Sequence, residues 1–400
     1  MKIRINPSKL CGSTEAPPSK SMAHRLLICA GLSKGESSIS GVAPSEDMNA
    51  TMDCLKALGA EIKYDGENAE IRGIDLNTSG AELPCRECGS TLRFFIPIAL
   101  LTDKEIKFTG SERLYARNMS VYETICKEQN MQFELLKNGL TVCGRLKSGI
   151  YEVRGDISSQ FISGLLFSLP LTSGNSEIRI LPPVESRPYI DMTISALSSF
   201  GVKAEFTDEN TIAVKGNQEY KAKELTVEGD YSNAAFFDAL NLLGADVKVT
   251  GLNPESLQGD RVYKNLFKKI KNGAAEIDLS DCPDLGPVCM ALAAECGGAK
   301  FTGTKRLRIK ESDRCAAMAD ELLKFGAESK VYENEMTVFP SELKAPEEAL
   351  SGHNDHRIVM ALSCLLTKYG GEIEGAEAVS KSLPDFFTRL KKLGAEVTGI

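Results

Sequence analysis

The sequence has no apolar run long enough to cross a bilayer. Its longest apolar stretches, Phe94 to Leu101 among them, are broken by proline. They fall far short of the roughly 20 residues a spanning helix needs. The start, MKIRINPSKL, lacks the apolar core of a secretory signal. Basic residues are not in excess: 47 Lys and Arg against 55 Asp and Glu leave a formal charge of −8. Broad nucleic-acid binding wants a basic face and is disfavoured. A local basic pocket inside an acidic shell stays open, because steering depends on the local field. There are three histidines, and no P-loop, dinucleotide glycine fingerprint or clustered metal-ligand spacing. These absences point to a cytoplasmic protein that binds no membrane and no nucleic acid, with no metal cluster or nucleotide fingerprint in its sequence.

Twelve cysteines are present. Their spacing is irregular and the chain is long, so they read as reduced thiols rather than a disulfide framework. Cys29, Cys126, Cys289, Cys296 and Cys364 stand in apolar helical contexts, where cysteine behaves as a small buried hydrophobe. Four hundred residues exceed one ordinary core and predict two domains.

One phrase recurs: an apolar helical pattern, a Gly-Ala or substitute, then a short alternating strand. The fuller copies start at Leu55, Leu197 and Leu322, the shorter ones at Leu240 and Leu390. A degraded sixth, CKEQNMQFELLKNGLTVCGRL, starts at Cys126. The glycine suits a left-handed residue just past a helix end, and the following strands are joined by Gly- or Asn-containing turns. Three copies precede roughly residue 225 and three follow it, which predicts two similar α/β domains of three units each. The stretch from Lys223 to Asp230 and the pair Pro17-Pro18 are candidate crossovers. The N-terminal strand Lys2 to Asn6 then goes with the C-terminal half.

The candidate chemistry sits at helix starts. In PPSKSMAHR, two hydroxyls, Lys20 and Arg25 surround a helix N-terminus, a ready anion site; plain capping is the simpler alternative. In PCRECGSTLRFF, Cys85 and Cys88 have C-x-x-C spacing, but zinc wants a second pair or nearby histidines, and none lies close in sequence. A cation such as Arg93 in the first helical turn is unfavourable unless an anion is held there. The segment therefore reads as an anion cradle and the cysteines as incidental. GDISSQF, ESRPYIDMT, RLRIKESDR, DCPDLGP, HNDHR and the Lys381 stretch before LPDFF add Ser, Lys and Arg at further helix starts. Such a set suits a substrate with several phosphates and carboxylates.

PPSKSMAHR, GSTLRFF, GDISSQF, SRPYIDMT, VEGDYSNAAFF, IKESDR, NDHR and LPDFF, in this order, resemble the 5-enolpyruvylshikimate-3-phosphate synthases (3-phosphoshikimate 1-carboxyvinyltransferases). The resemblance spans nearly the whole chain. It implies an α/β enolpyruvyl transferase fold of two similar domains, each of three βαβαββ repeats in pseudo-threefold arrangement. The domains would be 19–225 and 1–18 plus 226–400, with the active site in the cleft between them. It implies transfer of the enolpyruvyl group of phosphoenolpyruvate to the 5-hydroxyl of shikimate 3-phosphate, without a cofactor, by a monomer.

Carried onto matching positions, the resemblance assigns Lys20, Gly89, Arg117 and Lys381 to the phosphate end of phosphoenolpyruvate, with Gln160 beside them. Arg314 and Arg357 take its carboxylate. Ser21 and Arg25 take the shikimate carboxylate, and Ser158, Ser159 and Ser186 its 3-phosphate. Gln160 and Tyr189 shape the ring site, and Lys20 borders it. Asp284 and Lys310 contact ring hydroxyls. Asp284 is the implied base, Glu311 the implied acid, and Lys20 shares the proton traffic. The herbicide glyphosate occupies the phosphoenolpyruvate site in this family, and Gly89 implies sensitivity to it. Asn118 stands where the family usually has Pro, and Cys88 is a substitution without an evident role. The sister transferase acting on UDP-N-acetylglucosamine has an Asn-rich N-terminal pattern and lacks this Asp-His-Arg. A non-catalytic anion binder would not need Asp284 and Glu311.

Overall fold

The recurring glycines turn the chain the same way each time. In the computed structural model, which describes all residues but 75, 77–79, 274 and 400, Gly59, Gly201, Gly244, Gly326 and Gly394 have φ from +80° to +103°. A Cβ penalises that region. In the degraded sixth copy Asn130 takes the place at φ +56°, and Asn is among the few residue types that visit it routinely.

A strand follows each turn. In four copies it closes an antiparallel hairpin: Glu61–Tyr64 with Ala69–Arg72, Gln132–Leu136 with Gly139–Cys143, Ala204–Phe206 with Thr211–Val214, and Ser329–Val331 with Glu335–Val338. The inner strand of each hairpin runs antiparallel to a third strand, and the third runs parallel to a fourth. At the C-terminus Glu396–Gly399 pairs instead with the N-terminal strand Lys2–Asn6, completing the same four-stranded pattern from distant parts of the chain. The Leu240 copy departs from it. Its single strand, Asp246–Thr250, pairs in parallel with Cys11–Glu15 in a two-stranded ribbon.

Two kinds of helix alternate. Lys20–Leu32, Gly89–Ala99 and Ser159–Ser168 in one half, and Tyr231–Ala239, Gly286–Glu295 and His356–Tyr369 in the other, are buried almost all round. Glu46–Ala57, Ser120–Glu128, Arg187–Ser199, Tyr263–Lys271 and Arg314–Lys324 bury one face and cover the outside, as helices with one apolar stripe do. The apolar residues form two cores, one per unit.

The units are Met1–Ser19 with Glu228–Ile400, and Lys20–Val227. These bounds differ from 18/19 and 225/226 by one and two residues, for hydrogen-bonding reasons. Glu224–Thr226 pairs with Glu36–Ser40, and Val227 N–H donates to Ser40 O at 2.9 Å, which ties 226 and 227 to the central unit. Ser19 N–H donates to Glu228 O at 2.8 Å, which ties 19 to the other.

Candidate active site

In the Lys20–Val227 unit the starts of the Gly89 and Ser159 helices are cross-linked by polar contacts. Ser158 caps the Ser159 helix through Gln160 N–H at 3.3 Å, and the buried Ser159 follows it. Gln160 Nε2 donates to Ser90 Oγ at 2.8 Å, and its Oε1 accepts from Arg93 Nη1 at 2.7 Å. Arg93 also reaches Asn118 O at 3.3 Å and lies over the Phe161 ring. Its position therefore has a protein explanation: it fixes Gln160 and the Arg117–Asn118 turn. Arg117 packs directly on Gly89, where an added Cβ would stand 2.6 Å from Nη1. Its Nε is buried without an acceptor among the described residues.

Arg25 is 3% exposed. Nε donates to Thr193 Oγ1 at 2.8 Å, Nη1 to Ser21 O at 2.6 Å and Nη2 to Tyr189 O at 2.9 Å. The guanidinium lies by the rings of Phe94 and Tyr189. Burial lowers it to about 10, so it is still a cation at neutral pH. Ser186, 1% exposed, holds φ +57° at the start of the Arg187 helix. A non-glycine residue there costs roughly 1–3 kcal/mol, and such strain concentrates at binding sites. Lys20 Nζ is paired with Asp47 Oδ2 at 2.8 Å.

The C-x-x-C pair does not converge. Cys85, on a core-facing strand position, meets Cys54, and burial with Cys54 beside it pushes its thiol far up. Cys88 turns the other way and caps the Gly89 helix, accepting from Thr91 N–H at 3.4 Å. The histidine that sequence distance had excluded is supplied by folding: His24 Nε2 lies 3.9 Å from Cys88 Sγ. The Lys20 helix packs on the Gly89 helix, with His24 edge-on to Phe94. Burial, then Lys20 and Arg25, hold His24 well below its ordinary value, as a neutral imidazole.

In the other unit one guanidinium organises the acids. Arg314, 1% exposed, gives Nε to Asp355 Oδ2 at 2.8 Å, Nη1 to Asp284 Oδ1 at 2.9 Å and Nη2 to Glu311 Oε2 at 2.9 Å. Asp355 is fully buried, accepts from Ser312 Oγ at 3.0 Å, and caps the His356 helix through Arg357 N–H at 2.9 Å. Arg357 donates Nη2 to Asp284 Oδ2 at 3.2 Å, while its buried Nε and Nη1 meet no acceptor among the described residues. Lys310 Nζ stands 3.6 Å from Asp284. Burial raises Asp284, but Arg357, Lys310 and Arg314 outweigh it and hold the carboxyl well below its usual range. Burial lowers Lys310 to about 8 against the pull of Asp284, with Arg314 and Arg306 adding to the drop. Lys381 Nζ donates to Asn354 O and Oδ1 at 2.8 and 2.9 Å.

Thus Lys20, Ser21, Arg25, Gly89, Arg117, Ser158, Ser159, Gln160, Ser186 and Tyr189 lie in one unit. Asp284, Lys310, Glu311, Arg314, Arg357 and Lys381 lie in the other. Arg314 is more committed than a free carboxylate fork, being shared among three acids. Residues not anticipated are Asp47, Asp260 and the anchoring role of Asp355. Asp260 is 4% exposed. Burial, then Asp284, raise it to about 7 despite Arg357. Only the motif NDHR flagged Asp355 in the sequence; Asp47 and Asp260 stand in no polar motif.

The repeated four-stranded α/β units are the enolpyruvyl transferase fold. The fold matches EPSP synthase of Acinetobacter baumannii with TM-score 0.79, 22% identity and full coverage of both chains. It matches the enolpyruvyl transferase NikO of Streptomyces tendae with TM-score 0.82, 15% identity and coverage of 99% and 98%. The EPSP synthase (3-phosphoshikimate 1-carboxyvinyltransferase) family pattern matches residues 5–390. A 3-phosphoshikimate 1-carboxyvinyltransferase of Clostridium kluyveri is 42% identical over 99% of this chain and 98% of its own. One of Clostridium perfringens is 40% identical over 100% and 99%. The chain belongs to the EPSP synthase family and carries its activity, 3-phosphoshikimate 1-carboxyvinyl transfer in the shikimate pathway of aromatic amino acid biosynthesis.

Proposed function

We propose that the two clusters divide the substrates of this reaction between them. Ser21 and Arg25 hold the carboxylate of shikimate 3-phosphate, and Ser158, Ser159 and Ser186 its phosphate. Gln160 and Tyr189 border the ring. Lys20, the Gly89 backbone, Arg117 and Lys381 hold the phosphate of phosphoenolpyruvate, and Arg357 with Arg314 its carboxylate. The observation that carries this is Arg357: two buried N–H groups without an acceptor, on a guanidinium 3.2 Å from the candidate base Asp284. Buried unpaired donors are costly, and a bound carboxylate that replaces Asp284 on Nη2 can accept from Nη1 and Nη2 together.

Addition joins the 5-hydroxyl oxygen to C2 of phosphoenolpyruvate as Asp284 takes the hydroxyl proton and Glu311 gives one to the methylene carbon. Elimination returns a methyl proton to Glu311 and expels phosphate from the tetrahedral ketal, the proton held by Asp284 passing to the leaving phosphate. Asp284 is too acidic while three cations face it. A substrate carboxylate on Arg357 and Arg314 cancels part of that field and raises its proton affinity where the proton must be taken. Lys310, at about 8, contacts the ring hydroxyls and carries charge that titrates near working pH.

We infer a cytoplasmic location, which is typical of the family. Separate cores in the two units are compatible with a monomer, which light scattering checks. The test of the substrate pair is phosphate release with phosphoenolpyruvate and either shikimate 3-phosphate or UDP-N-acetylglucosamine. Only the former should support turnover. Arg357→Lys should raise KM for phosphoenolpyruvate, and Asp284→Asn should lower kcat; turnover retained by Asp284→Asn would remove Asp284 as the base.

A further inference from the structure

His24 Nε2, Cys88 Sγ and a carboxylate oxygen of Asp47 lie within 4.8 Å of one another. They come from the Lys20 helix, the N-cap of the Gly89 helix and the Glu46 helix. Imidazole, thiol and carboxylate together are the donor set of zinc and of the other borderline divalent ions. We propose that these three side chains form a binding site for one such cation, zinc or cobalt, next to Lys20.

The distances require little movement. Tetrahedral zinc with ordinary Zn–S and Zn–N bonds sets sulfur and nitrogen about 3.6 Å apart, and Cys88 Sγ to His24 Nε2 is 3.9 Å. The imidazole is also oriented as metal ligands are. Its Nδ1 is bonded to Thr51 Oγ1 at 2.7 Å, and Thr51 to Thr91 Oγ1 at 2.8 Å. That relay turns Nε2 toward the thiol and is the outer support a ligating histidine requires. His24 and Cys88 are each 2% exposed, whereas Asp47 is partly open to solvent, so entry is from the Asp47 side. A thiolate and a carboxylate neutralise the ion, and a water or anion completes four ligands. Binding releases the Cys88 proton, so affinity should rise with pH.

Asp47 already holds one cation, Lys20 Nζ at 2.8 Å. A metal that takes Asp47 draws it off Lys20. Insofar as Lys20 binds substrate phosphate, which rests on the reading above, zinc then inhibits. The binding itself is read without turnover.

Cobalt(II) is titrated into the full chain after chelator treatment. One equivalent should produce a near-ultraviolet thiolate-to-cobalt charge-transfer band and the strong visible bands of tetrahedral cobalt, and zinc should displace both. Cys88→Ala should abolish the charge-transfer band and Cys85→Ser should leave it. Thr51→Val should weaken cobalt about 10–100-fold, as loss of outer support does. Folding of each variant is checked by circular dichroism, and the parent titration stands alone if a variant fails to fold. Absence of the band in the parent at saturating cobalt, or its survival in folded Cys88→Ala, overturns the site. Should the spectrum behave as expected while zinc leaves KM for phosphoenolpyruvate unchanged, the metal site stands and the role of Lys20 falls.

Discussion

Gly89→Ala probes the phosphate cradle directly. The added methyl lies 2.6 Å from Arg117 Nη1, 3.6 Å from Arg93 Nη1 and 3.7 Å from Arg117 Cζ. Ordinary contact starts near 3.4 Å, so the end of Arg117 must retreat by roughly 0.8 Å. A long side chain can do that, so folding stability should change by no more than about 1 kcal/mol. Binding bears the cost, because Arg117 is itself a proposed phosphate ligand. Losing one charge-assisted hydrogen bond costs about 1.5–3 kcal/mol, or roughly 10–150-fold in KM for phosphoenolpyruvate. Glyphosate reaches further than phosphoenolpyruvate. It should lose this contact and also meet the methyl, which adds about 1–3 kcal/mol. The position of Arg117 thus extends the penalty of the methyl to phosphoenolpyruvate itself. The assay is KM for phosphoenolpyruvate and Ki for glyphosate at saturating shikimate 3-phosphate, in the parent, Gly89→Ala, Arg117→Ala and the double variant. If Arg117 transmits the effect, the double variant should bind phosphoenolpyruvate little worse than Arg117→Ala. An unchanged KM in Gly89→Ala, or fully additive losses, would refute displacement of Arg117. A parent that resists millimolar glyphosate would refute the steric account of sensitivity.

Asp355→Ala removes one of the three acids on the buried Arg314, leaving its Nε without an acceptor, and uncaps the His356 helix, so urea unfolding should show a loss of about 2–4 kcal/mol. Asp260 titrates near 7 in the fold, above its unfolded value, so the native state binds the proton more tightly and stability falls as pH rises through about 7. Asp260→Asn should therefore gain melting temperature over the parent at about pH 8 and gain less at about pH 5; an equal gain at both would show that the carboxyl is not held protonated. Ser186→Gly relieves the left-handed backbone and should keep or raise thermal stability by up to about 2 kcal/mol, while KM for shikimate 3-phosphate rises through loss of the hydroxyl.

The repeat was readable because it is local. A glycine past a helix end carries its own reason, and even the weakest copy kept an Asn where φ had to be positive. The short turns and alternating strands follow within a few residues of each other. The sheet closed by Lys2–Asn6 was harder, since its partners Gly371–Glu374 and Glu396–Gly399 are more than three hundred residues away. The Leu240 copy shows the limit of pattern matching: its strand lacks a following hairpin partner and uses Cys11–Glu15 instead. The C-x-x-C spacing misdirected for a related reason. Residues three apart across a strand-to-helix turn face opposite ways, so Cys85 meets Cys54 and Cys88 meets His24.

The basic residues of the candidate site stand out within their own turns, while only some of the acids do: Asp284, Glu311 and Asp355 lie in the quoted motifs, whereas Asp47 and Asp260 do not, and physics explains the asymmetry. A Lys or Arg at the start of a buried helix is anomalous within its own turn, since the helix dipole opposes it. The acid that restrains it is placed by tertiary structure: Asp47 lies 27 residues from Lys20, Asp355 lies 41 from Arg314, and Asp284 lies 73 from Arg357. An isolated Asp at such a distance looks like any other surface charge. Yet these acids determine the chemistry. Without them, several buried cations would repel each other and stay solvated or unfolded. With them, the cations are held in place, and in the proposed mechanism exchange of Asp284 for a bound carboxylate on Arg357 frees the base for proton transfer. An Asp284→Asn variant should accordingly still bind phosphoenolpyruvate, with Arg357 less restrained and KM unchanged or lower, while kcat collapses. If KM rises as steeply as kcat falls, Asp284 is a structural counter-ion and the exchange does not operate.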